Sequence, residues 1–307
     1  MKYERDSMNE YRPKSTKKKI YAVISALFGI GFLACIIWLI NYAMDLNQAE
    51  QQMEDIKNAY VQESVESSTE PSTEPYVEAS TEASEATEET PASTEAEPES
   101  KYPGLEDYAV PEKTIDFAAL QEQENEHIYA WITVPGTKID YPIVQHPESP
   151  EYYLNHNLDG SAGYPGCIYT ELYNSKDWDD NHTVIYGHNM KNGTMFAGLH
   201  YYEDSQFFEE HPYVYIYTED KVRVYQIFAA YEFGNAHLLL SFDMDNEESF
   251  GQYLEGIYEI QGINNNFNEE LEVTTEDKII TLETCIANKP DKRYVVQAVL
   301  VAEGAVQ

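Results

Sequence analysis

The sequence predicts a mainly β domain of about eight strands, carried behind a single transmembrane helix. Three observations predict it. Residues 20–40 form an uncharged run of twenty-one residues, residues 63–100 consist mostly of Glu, Ser, Thr, Ala and Pro, and short runs rich in Tyr, Val and Ile follow beyond residue 101. Strand runs of that composition, separated by turn residues at such intervals, suit a barrel or a sandwich. At about 1.5 Å per residue, the apolar run is long enough as a helix for the roughly 30 Å hydrocarbon core of a bilayer.

The N-terminal run is flanked asymmetrically. Residues 1–20 hold seven basic and three acidic side chains, with Lys17-Lys18-Lys19 directly before the run and Asp45 and Glu50 after it. The positive-inside rule then makes residues 1–19 a cytoplasmic segment and residues 20–40 a signal-anchor helix, with the rest of the chain outside. A cleaved signal peptide has an apolar region of about 7–15 residues ending in a small-residue cleavage site. This run is longer and no such site follows, so an uncleaved anchor is expected, with Cys35 as an apolar filler inside it.

Residues 41–100 carry one basic and sixteen acidic side chains, and Ser-Thr-Glu recurs at 68–70, 72–74, 80–82 and 93–95. Such a segment has too little apolar surface to offset its ordering entropy, and its like charges extend it. The expectation is a disordered extracellular spacer over 41–100, in which residues 45–60 can prolong the anchor helix by a few turns. The folded domain is expected at 101–307. Within it, one helix is expected over 114–126 with Thr114 as its N-cap. Strands are expected at 129–134, 139–145, 167–169, 182–186, 213–218, 222–230, 278–282 and 294–301. A helix is expected at 247–260, where Phe250, Leu254, Ile257 and Tyr258 recur at helical spacing.

Charge and cysteine usage exclude several functions. Residues 101–307 hold eleven basic and thirty-six acidic side chains, a field that repels phosphate backbones, so no nucleic-acid partner is expected. Three cysteines, Cys35, Cys167 and Cys285, make no disulfide framework. His146, His156, His200, His211 and His237 lack metal-ligand spacing, and Asp179-Asp180 sits in no regular calcium loop, so neither metal nor cofactor is expected.

The chemistry centres on Thr281-Leu282-Glu283-Thr284-Cys285, which leaves a thiol where the strand at 278–282 should end, and on Arg293 eight residues later, directly before the next strand. Adjacent strands would bring the thiol and the guanidinium to one edge of a sheet. A thiol is mostly protonated at neutral pH unless a cation or an imidazole lies near it. Of the eight histidines, His188 is best placed to supply that, just past the strand at 182–186. Taken singly, these residues also fit bland roles: a buried apolar cysteine, a solvated histidine, a surface arginine.

Together, Val184-Ile185-Tyr186-Gly187-His188-Asn189-Met190, Thr281-Leu282-Glu283-Thr284-Cys285 and Arg293 resemble a sortase, a cysteine transpeptidase of Gram-positive cell surfaces. The resemblance covers residues 113–302. The N-terminal helix, the inserted helix before the cysteine strand, and Met195-Phe196 point to class B. The resemblance implies a closed eight-stranded β-barrel with His188, Cys285 and Arg293 as catalytic residues at one rim. It also implies partners: secreted proteins bearing a C-terminal sorting signal, cleaved after a threonine, and a peptidoglycan amine that receives them. A pilin lysine as the acceptor, a protease finishing with water, and a membrane-tethered binding module with an inert Cys285 stay open alternatives.

Some positions depart from the family pattern or remain open. Class B sortases usually carry Ser where this chain has Glu283, so that carboxylate either biases substrate choice beside the thiol or points to solvent. Lys292 rivals Arg293 as the oxyanion donor. The segment 286–292 looks tight. Leu154, with Glu283 and Thr284, is a candidate for the substrate groove, and a core leucine is the alternative for it.

Overall fold

A computed structural model describes residues 16–63 and 104–306. The chain divides into two compact units, Met1–Gln52 and Met53–Gln307. Helix α1 covers Thr16–Tyr60. Within it, Val23–Met44 has a mean hydropathy of 2.6 and is a candidate membrane span. Its apolar side chains, among them Leu27, Phe28, Ile37 and Trp38, are exposed all along the segment. A helix apolar on every side has nothing in water to bury against, and its length and composition suit a lipid surrounding.

The second unit starts well before residue 101. Strand β1 (Val61–Glu63) follows α1 directly and pairs antiparallel with β2 (Lys113–Ile115). Ile56 and Val61 are buried in one core cluster with Phe117, Leu120, Ile128 and Trp131, and Met53 and Tyr60 pack against it. Residues 45–60 do prolong the helix, as the sequence allowed, and Val61–Glu63, expected as spacer, is strand; Met53, Ile56 and Tyr60 form a helical apolar stripe that finds a core to cover. The Ser-Thr-Glu repeats lie outside the described residues.

Polar contacts pin the same junction. Lys57 lies 2.5 Å from Asp140 and 3.0 Å from Glu63, and Lys113 bridges the same two carboxylates at 2.5 and 3.2 Å. Burial alone would raise the Asp140 carboxyl. Lys113, Lys57 and the Trp131 indole N–H, which donates to it at 2.8 Å, hold it below the usual carboxylate range instead.

Helix α2 (Phe117–Gln123) is capped by Asp116, which accepts from Ala119 N at 2.9 Å; Thr114, the expected cap, lies in β2. Strands β3 (Ile128–Thr133), β4 (Asp140–Val144), β5 (Ile168–Thr170) and β6 (His182–Tyr186) come next, with a 3-10 turn at Tyr152–Leu154 between β4 and β5. A 3-10 segment, Phe196–Glu203, then leads into α3 (Ser205–Glu210), β7 (Tyr213–Tyr217) and β8 (Lys221–Gly234). The short α4 (Leu238–Ser241) precedes α5 (Glu247–Tyr258), whose Asn246 cap accepts from Ser249 N. Phe250, Tyr253, Leu254 and Ile257 are its buried face, while Tyr258 is half exposed. Strands β9 (Asn266–Phe267), β10 (Ile279–Ile286) and β11 (Lys289–Ala305) complete the chain.

The sheet runs β11-β10-β6-β5-β4-β3-β7-β8, and β8 pairs with β11 to close it, giving the expected eight-stranded barrel with β9 appended to β8. Helix α5 packs on a second core cluster with Val184, Phe228, Tyr231, Ile279 and Val295. Under it sits a buried polar chain. His182 Nε2 lies 2.7 Å from Thr281 Oγ1, Gln297 Nε2 donates to the same hydroxyl at 2.7 Å and also to Tyr253, and Tyr231 donates to Gln297 Oε1.

Burial pushes the His182 imidazole down to about 3, so it stays neutral in the fold while the unfolded chain protonates it near its ordinary 6.5. The unfolded state thus binds the extra proton, and stability falls as pH drops from about 6.5 toward 3, by up to about 1.4 kcal/mol per pH unit. His182→Gln should flatten that part of the pH–stability curve, as urea melts across the interval will show. An unchanged slope would assign acid sensitivity to other groups.

Candidate active site

Strands β6 and β10 are parallel neighbours in register, with Glu283 opposite Tyr186 and Gly187 N donating to Glu283 O at 3.1 Å. Two residues beyond that pair stand His188, just past the end of β6, and Cys285, still within β10. Parallel register thus delivers an imidazole and a thiol to the same end of the barrel. Cys285 does not follow its strand, as expected, but sits inside it, opposite Arg293 of β11. After that pair the register jumps to Ile286↔Lys289, so residues 290–292 bulge from the β10 pairing while Lys292 stays paired with Gly234 of β8, and the hairpin turns through Asn288 at φ +63°. The tight segment is resolved as a short turn plus a bulge.

Each of the three candidates is held by its surroundings. Gly187 has no room for a side chain: an added Cβ would come within 2.5 Å of Ile168 Cδ1 and 2.7 Å of Phe196 Cγ. His188 O accepts from Phe196 N at 2.9 Å, and Asn189 bridges Met195, so the loop after the histidine folds back on itself. His188 Nε2 lies 2.6 Å from Leu154 O. A carbonyl only accepts, so Nε2 carries a proton and donates. Leu154 O in turn depends on Gly166 at φ +66°, where a Cβ would meet that oxygen at 2.8 Å. The Tyr164 ring lies 5.1 Å from the His188 ring, tilted 59°. Leu154 itself is exposed beside His188, not a core leucine.

Arg293 Nη1 donates to Lys292 O at 3.0 Å and Pro290 O at 3.2 Å, and its Nε lies 3.4 Å from Glu283 Oε1. Lys292 turns elsewhere, to Glu232 at 3.6 Å. Glu283 therefore neither reaches solvent, with its side chain 12 % exposed, nor stands as a free charge beside the thiol. Burial pushes its carboxyl up to about 7; Arg293 opposes that shift and Glu171 adds to it. Near neutral pH it is thus a titrating partner of the guanidinium. Thr284, expected to line the groove, is buried, and its hydroxyl donates to Gly187 O at 2.7 Å. It ties β10 to the turn before His188 and leaves no side-chain atom for a peptide.

Of the three cysteines, two are exposed and one is buried. Cys285 is exposed at the site, Cys35 lies in the apolar helix, and Cys167 is buried, its thiol pushed well up by burial. Among the described residues, no three His, Cys, Asp or Glu side chains gather to hold a metal ion. Sequence reasoning gave no role at the site to Asn189, His200 or Glu203: Asn189 Nδ2 donates to Cys285 O at 2.9 Å, His200 Nε2 lies 3.1 Å from it, and Glu203 Oε1 lies 2.7 Å from His200 Nδ1. The readable signals were an amide directly after His188 and an i,i+3 His–Glu pair.

Comparison with known proteins supplies independent testimony. The family model described as Sortase domain matches residues 132–301. Sortase B of Listeria monocytogenes is 34 % identical over 182 residues, covering 58 % of this chain and 72 % of that protein. The crystal structure of Clostridium perfringens sortase B superposes with a TM-score of 0.54 at 31 % identity, over 60 % of this chain and 98 % of that one. A Staphylococcus aureus sortase B–substrate complex gives a TM-score of 0.54 at 27 % identity, over 61 % of this chain and 84 % of that one.

Proposed function

The chain belongs to the sortase family of cysteine transpeptidases, with class B sortases as its relatives, and we propose on that premise that it is anchored by residues 20–40, with its catalytic domain outside the cell, and joins secreted proteins to the wall. The observation that carries the proposal is the register of β6, β10 and β11, which brings His188, Cys285 and Arg293 to one end of the barrel.

In this reading the Cys285 thiolate attacks the carbonyl of a threonine in a C-terminal sorting signal. Arg293 donates to the oxyanion that forms, exchanging its present hold on the Pro290 and Lys292 carbonyls for substrate. His188 gives a proton to the departing amine as the C–N bond breaks, leaving a thioester on Cys285. Because Nε2 is committed to Leu154 O, Nδ1 is the nitrogen that exchanges that proton. A peptidoglycan amine then attacks the thioester, Nδ1 takes its proton, and the thiolate is released. Leu154, exposed beside His188, lines the peptide's path.

The test is direct. The full chain in detergent, incubated with a library of sorting pentapeptides, should gain the mass of an acyl group on Cys285 and lose it on adding an amine. A rapidly alkylating Cys285 with no adduct from any such peptide would sink the reading. A further expected result concerns Arg293. One oxyanion donor is worth about 2.7–4 kcal/mol, so Arg293→Lys should lower kcat by about a hundredfold or more, since a single ammonium cannot reproduce a planar fork of donors. Near-normal kinetics would move the role to Lys292.

A further inference from the structure

The β10–β11 ladder shifts register directly after Cys285, resuming at Ile286↔Lys289, and β6 ends at Tyr186, two residues short of His188. The peptide that follows Cys285 therefore lies at an irregularity of the ladder, and regular pairing does not set its separation from His188. Side chains from the histidine loop span that gap. Asn189, the next residue after His188, donates from Nδ2 to Cys285 O at 2.9 Å. Its amide is oriented in turn: Nδ2 lies 2.9 Å from His200 Nε2, and His200 Nδ1 lies 2.7 Å from Glu203 Oε1. The second Glu203 oxygen accepts from Asn264 Nδ2 at 2.8 Å. The His200 ring stacks on Tyr294, the neighbour of Arg293, at 5.1 Å and 27°.

Counting hydrogens leaves one consistent arrangement with His200 neutral. An ionised Glu203 has no proton to give, so Nδ1 carries the hydrogen and donates to it. Nε2 then offers a lone pair and accepts one Asn189 N–H. The other Asn189 N–H goes to Cys285 O, and the 3.1 Å approach of Nε2 to that oxygen is a side contact. Both hydrogens of the one amide are thereby used.

We propose that Asn189 is a positioning residue that sets the spacing of Cys285 and His188, and that His200 and Glu203 act on the nucleophile only through the Asn189 amide. The proposal rests on Cys285 and His188 being the reacting pair. Fixing the carbonyl of Cys285 fixes the plane of its peptide and so the direction of its Cα–Cβ bond. A misplacement of about 1 Å between reacting groups can cost about a hundredfold in rate.

The experiment uses the full chain in detergent with four variants: Asn189→Ala, Asn189→Asp, His200→Ala and the Asn189→Ala/His200→Ala pair. Asn189→Asp keeps the shape and replaces the donor with a carboxylate facing a carbonyl. Expected are a kcat lower by about 10–100-fold for both Asn189 variants, with KM within about threefold. His200→Ala should lose about 3–10-fold alone and nothing further in the pair, because it acts through an amide already removed. Melting temperatures should stay within about 3 °C of the parent, since the groups are surface-accessible. A kcat within about threefold for Asn189→Asp overturns the proposal, and losses that multiply in the pair overturn the relay. The rate of iodoacetamide alkylation at Cys285 is read on the same five proteins. If the parent alkylates but takes no sorting peptide, the sortase chemistry fails, while non-additive alkylation rates still uphold the relay and additive ones reject it.

Discussion

Replacing Cys285 with alanine should remove both thioester formation and transpeptidation and leave the melting temperature of the domain unchanged. The two halves of that result have separate causes. The side chain is exposed, and the strand is held here through its main chain: paired with Arg293 across the sheet, its carbonyl taken by Asn189. Alanine keeps every one of those contacts, so stability should move by less than about 0.5 kcal/mol, as for surface positions generally. Chemistry has no substitute for the sulfur, since the buried thiol of Cys167 is held protonated and out of reach. Intact mass after incubation with peptide and a thermal melt check both halves. Residual acyl transfer would remove Cys285 from the mechanism. Cys167→Ala, in contrast, should melt earlier and turn over normally per folded molecule.

A protein that begins at Lys101 should fold markedly less stably than one that begins near residue 50. Ile56 and Val61 are buried against Phe117, Leu120 and Ile128, and Met53 and Tyr60 cover the same cluster. Two fully buried side chains at about 1.5–3 kcal/mol each make the loss about 3–6 kcal/mol, before β1 and the Lys57 contacts are counted. Asp140 keeps Lys113 and Trp131 and so is not orphaned, which places the cost in apolar burial. Urea melts of the two proteins measure it. Equal midpoints would show that residues 53–63 ride on the domain without supporting it. The longer protein is the one on which kinetic work belongs, because a destabilised domain confounds every kcat.

Local chemistry was legible where the signal lies within a few consecutive residues. An apolar run, alternating Tyr, Val and Ile, and a helical stripe at Phe250, Leu254 and Ile257 each report a face to be buried, whatever covers it. The boundaries were less legible. Thr114 looked like a cap, yet Asp116 serves because residues 113–115 pair with β1, a segment fifty residues earlier. The stripe at Met53, Ile56 and Tyr60 was readable at helical spacing but lay in a charged stretch, and its partner surface belongs to residues far along the chain.

By itself the sequence determined the mainly β class, the apolar helix near the N-terminus, the candidates His188, Cys285 and Arg293, and the family through the motifs that surround them. Those follow from composition, short-range periodicity and residue identity, which need no third dimension. Only the tertiary structure decided which way neighbouring side chains face. Glu283 turns to Arg293, Thr284 turns inward to Gly187 O, Lys292 turns to Glu232, and Asn189 reaches across to the Cys285 carbonyl. Register and bulges set those directions, and they arise from pairings between strands about a hundred residues apart, such as β6 with β10, that no local window contains.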